Sequence, residues 1–209
     1  MNDGYLSYLL MLISAILLVS GWKNILAREV KAQELIIFFT AWIIGLTFVI
    51  PITASGMVQG VYVALMLLLM RTLCRTSRGE VSYLAAAGVL IGMVGYFVHV
   101  LYESDPVLIL YDPTIDIALV CGVLAWTVTR DVSLQASVIT ISLLILDIAA
   151  AWQTGSTLTT FRLGDLAFQD SWWGAVCTSK LLTITGELLI RISSYGGKRL
   201  MLWMRSLRR

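Results

Sequence analysis

Asp147, Lys180 and Glu187 each sit inside a long apolar stretch, where an ionisable side chain costs roughly 2.5 to 3.5 kcal/mol to place. At about 100° per residue, Cys177, Lys180, Thr183, Glu187 and Arg191 share one helix face, and Ser133, Thr140 and Asp147 share one face of the preceding helix. Two kinds of chemistry fit these stripes. In the first, Asp147 and Lys180 neutralise one another across two antiparallel helices, and Glu187 meets Arg191 one turn on. In the second, the stripe lines a hydrated path where Asp147, Lys180 and Glu187 handle an ion, a proton or a polar solute. The ion pair is the preferred expectation, because the two groups differ in depth by only about 4 to 5 Å when the rise is 1.5 Å per residue.

Other chemistry is sparse. There is no Gly-rich phosphate loop, nucleophile elbow or zinc signature. A single histidine, His99, excludes a bis-histidine haem and a multi-histidine metal centre within the chain, and reads as an interfacial hydrogen-bonding residue. Cys74, Cys121 and Cys177 are too scattered for a disulfide framework and read as small packing residues. Glu103, Asp105, Asp112 and Asp116 form the one acidic cluster; its oxygens suit a divalent cation, but an acidic outer loop is the ordinary consequence of membrane topology. The expectation is a protein without catalytic residues, cofactor or metal.

The elements that position these groups follow from composition. Of 209 residues, 58% are hydrophobic and 13% charged, and the mean hydropathy is +0.85. A water-exposed surface needs more ionic groups than that, so the solvent is lipid. Apolar runs predict an all-α polytopic bundle of seven spans: Tyr5 to Trp22, Leu35 to Pro51, Gly56 to Leu73, Ser82 to Leu101, Ile115 to Thr129, Leu134 to Trp152, and Trp172 to Ile192. With the N-terminus outside, all of the 15 Lys and Arg residues except Arg162 and Lys180 fall on the inner side, and Glu103, Asp105, Asp112, Asp165 and Asp170 fall outside. This separation obeys the positive-inside rule and places the C-terminus inside.

Residues 1–194 then form the transmembrane domain and 195–209 a basic amphipathic tail. Leu200, Trp203, Met204 and Leu207 recur at helical spacing among Lys198, Arg199, Arg205, Arg208 and Arg209, the pattern of a helix on the anionic inner leaflet. Those charges either fix topology alone or also dock a partner. Gly88 and Gly92 in the fourth span, and Gly56 and Gly60 in the third, have small-x-x-x-small spacing and predict close helix packing within the chain, with a homodimer as the lesser alternative. Trp22, Trp152, Trp172 and Trp173 lie near predicted ends and read as interfacial anchors.

The lysine in a seventh span is similar to that of microbial rhodopsins, but Val176 stands where that family has an aspartate, and no carboxylate lies between Gly56 and Met70, which argues against retinal. Sugar-efflux proteins share the span count, yet Pro51, Pro106 and Pro113 all lie at span ends or in loops. Gly21-Trp22-Lys23 closes the first span and Ala41-Trp42 lies within the second. In these motifs, in length and in hydropathy profile the chain resembles the small YphA-like integral membrane proteins of spore-forming bacilli. That resemblance implies a cell-membrane protein with no assigned catalytic residues and a link to spore envelope assembly. The expected function is therefore non-catalytic, exerted through the bilayer, its anionic inner leaflet and a membrane-protein partner or second copy, and without nucleic acid. The alternative is a small-solute or proton-coupled transporter using Asp147, Lys180 and Glu187.

Overall fold

The computed structural model describes the backbone of residues 2–28, 30–52, 56–155 and 161–206 and, except at 154, 155, 161, 191 and 193–206, their side chains. The chain is mostly helical. Its helices are α1 (Tyr5–Leu17), α2 (Lys23–Leu26), α3 (Ala32–Thr47), α4 (Gly60–Arg75), α5 (Arg78–Ser104), α6 (Pro113–Val128), α7 (Val132–Gly155) and α8 (Leu166–Ser206). A π-helical turn, Leu18–Trp22, joins α1 to α2, and Gly21 within it takes φ 93°, a left-handed value that glycine reaches without strain. The described residues thus form seven helical rods. Among the described residues three stretches are long and apolar enough to cross a membrane: Tyr5–Leu26, Arg78–Ser104 and Val132–Gln153.

Local chemistry sets the helix starts. Ser77 and Glu80 form a capping box at the head of α5. Asp112 accepts the Thr114 amide at 3.0 Å just before Pro113, which suits the first turn because it has no N–H to satisfy. Asp131 accepts the Ser133 amide at 2.7 Å at the start of α7, and Asp165 accepts the Phe168 amide at 2.8 Å at the start of α8.

Close-packed glycines join the rods. On α5, a Cβ at Gly88 would lie 2.7 Å from the Ile141 side chain, and one at Gly92 2.6 Å from the Ser142 carbonyl, so α5 and α7 run parallel in close contact. On α6, Gly122 is equally tight against Ala175 and Thr178 of α8, and Gly174 meets Ala118. Gly88 and Gly92 therefore face a helix of the same chain. Gly56 is not helical, so the spacing of Gly56 and Gly60 marks no helix face; Gly60 instead abuts Gly45 of the antiparallel α3.

The all-α expectation needs one correction. Strands β1 (Val49–Pro51), β2 (Gly56–Gln59) and β3 (Phe161–Leu163) form a small sheet in the order β1-β2-β3, with β1 and β2 antiparallel and β2 and β3 parallel. The ends predicted as helix for the second and third spans are thus extended. Where backbone groups lack water, strand pairing supplies the hydrogen bonds that a helix would have made internally.

Large apolar side chains are exposed along successive rods, among them Leu12 and Ile16 of α1, Ile36 and Ile43 of α3, Leu67 and Met70 of α4, and Leu90 and Phe97 of α5. Polar side chains concentrate elsewhere. The end of the bundle that carries the sheet also carries the α5–α6 and α7–α8 connections. At the opposite end Glu34 receives Arg71 at 3.1 Å and also Arg75, and Arg130 lies 5.5 Å from the Trp126 ring centre. The two guanidinium groups, Arg75 first, hold the Glu34 carboxyl below its ordinary value near 4.5. A lowered native pKa contributes stability above the unfolded value and loses it as pH falls through the native value. We expect Glu34→Gln to flatten the acid limb of a thermal-stability profile below about pH 4.5 while costing under about 1 kcal/mol at neutral pH, since the ion pair is near the surface. An unchanged acid limb contradicts this.

The backbone at residue 194, where the sequence places the end of the transmembrane domain, is helical. Helix α8 runs for 41 residues without interruption, about 60 Å at 1.5 Å per residue. Lys198, Arg199, Trp203 and Arg205 lie on this extension with their side chains outside the described set, and Arg208 and Arg209 lie outside the described residues.

Candidate functional site

The turn from β3 into α8 is built on Gly164, at φ 74°, a backbone value that side-chain-bearing residues rarely adopt. Its N–H donates to Asp147 Oδ2 at 2.9 Å and its carbonyl accepts from Gln169 Nε2 at 3.2 Å. A Cβ at this position would stand 3.0 Å from Tyr62 of α4, so the phenol ring packs directly on the glycine. The Tyr62 ring also packs on Phe168, with centres 5.6 Å apart, and lies within electrostatic range of Asp147. Five elements thus converge at one glycine: β2, α4, α7, β3 and α8.

Asp147 is therefore part of a polar cluster, but not the expected one. Trp172 Nε1 donates to Thr140 Oγ1 at 3.0 Å, and Gln135 Nε2 donates to Thr183 Oγ1 at 2.9 Å. These two bonds set the antiparallel register of α7 and α8. Lys180 falls between Trp172 and Thr183, closer to the latter, which leaves it about 15 Å along the axis from Asp147 at 1.5 Å per residue. A lysine stem does not cover that distance, so the expected Asp147 to Lys180 ion pair is replaced by the Asp147 to Gly164 hydrogen bond. The depth estimate failed because α8 begins at Leu166, six residues before the predicted span.

The stripes themselves divide. Thr140, Ser179 and Thr183 are buried, and Asp147, Cys177 and Lys180 half-buried, but Glu187 is exposed where α8 leaves the bundle. The Arg191 side chain lies outside the described set. Hydroxyls on both helices donate to their own backbone, as in Thr140 to Ala136 O at 2.7 Å and Thr183 to Ser179 O at 2.9 Å.

The acidic residues of the sheet end act as caps. Asp116 is 4% exposed and accepts the Leu110 amide at 2.9 Å and the Tyr111 amide at 3.3 Å. Asp105 accepts the Val107 amide at 3.1 Å, and Glu103 meets Gln153 at 3.1 Å and His99 at 3.5 Å. Among the described residues no group of three or more His, Cys, Asp or Glu side chains is placed to hold a metal ion. Asp170, counted in sequence as an outer-loop charge, is buried and accepts the amides of Gly4 at 2.8 Å and Ser7 at 2.6 Å, capping α1 from across the chain. Burial holds the Asp165 carboxyl above its ordinary range despite the helix amides it accepts.

Trp172 and Trp173 also differ from expectation. Both are buried, in an aromatic cluster with Phe38, Phe39 and Trp42, while Trp22 and Trp152 are exposed. Gln59, Tyr62, Gln135 and Gln169 carry no formal charge, so a search of the apolar runs for ionised groups passes over them.

The geometry defines a helical bundle, three of whose described helices are long and apolar enough to cross a membrane, closed at one end by a small sheet and a buried polar cluster. Protein-family models, curated proteins and solved structures yield no match to the chain.

Proposed function

We propose that this chain is a multi-pass cell-membrane protein with seven spans, its N-terminus outside and its C-terminus inside, acting without catalysis through the lipid and a protein partner. The observation that carries this reading is the exposure of large apolar side chains along the rods, with polar side chains gathered at the bundle ends or bonded within it. Such a surface suits acyl chains and suits no aqueous solvent. The likeness to YphA-like membrane proteins supports spore envelope assembly as the setting.

Transport through Asp147, Lys180 and Glu187 has less support, because Asp147 bonds Gly164 at one end of α7 and Glu187 is exposed near the other end of the bundle. Crosslinking in native membranes, on the full chain and on a chain ending at Ser194, tests the partner reading. A discrete adduct that disappears on truncation is expected; the same adducts from both chains, or none from either, would overturn it. Cysteine labelling at position 2 from outside only would support the orientation, and labelling from inside would reverse it.

A further inference from the structure

We propose that the cluster around Gly164 binds a small monovalent cation. Three of its polar atoms are buried without a hydrogen-bond partner among the described residues: Gln59 Oε1, Tyr62 Oη and Gln169 Oε1. The residues that carry them are 7%, 6% and 0% exposed. Buried oxygens of this kind are rare in folded chains, and a group of them at one place implies an occupant that offers positive charge or donors.

The three side chains meet at one turn. Gln169 Nε2 bonds the Gly164 carbonyl, so Gln169 Oε1 on the same amide lies beside that peptide. Tyr62 packs against Gly164, and Gln59, three residues before it, is the extended residue that ends β2 and caps α4. Strand pairing of Val58 with Leu163 carries Gln59 to the level of Gly164. Asp147 completes the set with a carboxylate already oriented by the Gly164 N–H.

The donor set selects the occupant. Two amide oxygens, a phenol and a carboxylate are hard oxygen ligands with no thiolate or imidazole, which disfavours zinc and copper. Calcium commonly draws on several carboxylates and magnesium on a nearly complete octahedron with water, whereas this set brings one carboxylate. The surrounding charges are Asp165, whose carboxylate is occupied by the Phe168 and Ala167 amides, with Asp3 and Arg162 in electrostatic range of it. They leave the turn net negative and favour a cation over a neutral solute. The cluster lies at the sheet end, where β3 exposes Arg162, so an ion need not cross the bundle to reach it. This inference stands apart from the partner reading and fails or holds independently of it.

The test uses the full chain in nanodiscs, unfolded thermally with tryptophan fluorescence as the readout, in NaCl, KCl or NH4Cl against N-methylglucamine chloride at equal ionic strength. A saturable rise in Tm, on the order of 3–6 °C at ten times the half-saturating concentration, is expected with at least one small cation. Gln169→Met and Gln59→Met keep side-chain volume and remove the oxygen; each should raise the half-saturating concentration at least tenfold. Because Asp147→Asn risks the fold, direct 22Na+ or 86Rb+ binding to the unaltered chain gives a second readout, with one site per chain expected. Equal Tm in all four chlorides, the result for a buried water, overturns the proposal. So does a rise that both methionine variants retain.

Discussion

Replacing Asp170 with alanine is expected to free the start of α1 and to cost about 2–4 kcal/mol, among the largest effects of any single polar substitution in this chain. The first turn of a helix leaves amides that its own backbone cannot satisfy. Gly4 has no side chain with which to cap α1, and the cap comes instead from a carboxylate 163 residues beyond Ser7, at 2.6 and 2.8 Å from the two amides. Charge-assisted bonds of this kind are stronger than neutral ones, and losing them here strands two buried N–H groups. The most apolar window of Tyr5–Leu26 holds no buried residue, so beside the contacts of Leu10 and Met11 with the core the Asp170 cap is a main tie on the start of this helix. Asp170→Asn retains a single acceptor and should fall between wild type and alanine. Thermal unfolding gives the energy, and maleimide labelling of a cysteine placed at Leu10, which packs against the core, gives the local release. Alanine variants with unchanged stability and labelling would remove Asp170 from this role.

Adding one methyl group at Gly92 or Gly122 is expected to destabilise the bundle by about 3 kcal/mol at each site. The new Cβ would stand 2.6 Å from the Ser142 carbonyl oxygen in one case and 2.7 Å from the Ala175 carbonyl oxygen in the other. A backbone oxygen within a helix cannot turn aside as a side chain can; the whole helix must shift, and other contacts along it are lost. The two sites lie in different helix pairs, so the double variant should show nearly the sum. Gly79 is the internal control, since a Cβ there meets nothing within 4 Å. Gly79→Ala should be neutral or stabilise by up to about 1 kcal/mol through higher helix propensity. Equal losses at all three positions would show that the assay reads alanine in general and not helix approach.

The spacing of Gly88 and Gly92 specified a face that needs a close neighbour, and α7 is the neighbour found there. For Asp147 and Lys180 the same kind of reasoning failed. Helix periodicity placed each residue on a face, but their pairing depended on how far α8 starts ahead of Trp172, and a six-residue extension moves a side chain by about 9 Å. A comparable limit applied to Asp116 and Asp170. Both were legible as acidic residues near span ends, whereas their partners are backbone amides, which every sequence position carries and no residue type marks.

By itself the sequence determined a chain too apolar for water, the helical segments that such a chain forms, and the segregation of its basic residues toward one set of loops. These depend on composition and period, properties local to each segment. Tertiary structure alone decided that Asp147 bonds Gly164, that Trp172 and Trp173 are core residues, and that three short strands close one end of the bundle. Each of those outcomes turns on the axial offset between elements distant in sequence. That offset is set by the summed packing of whole helices, to within the 1.5 Å rise of a single residue.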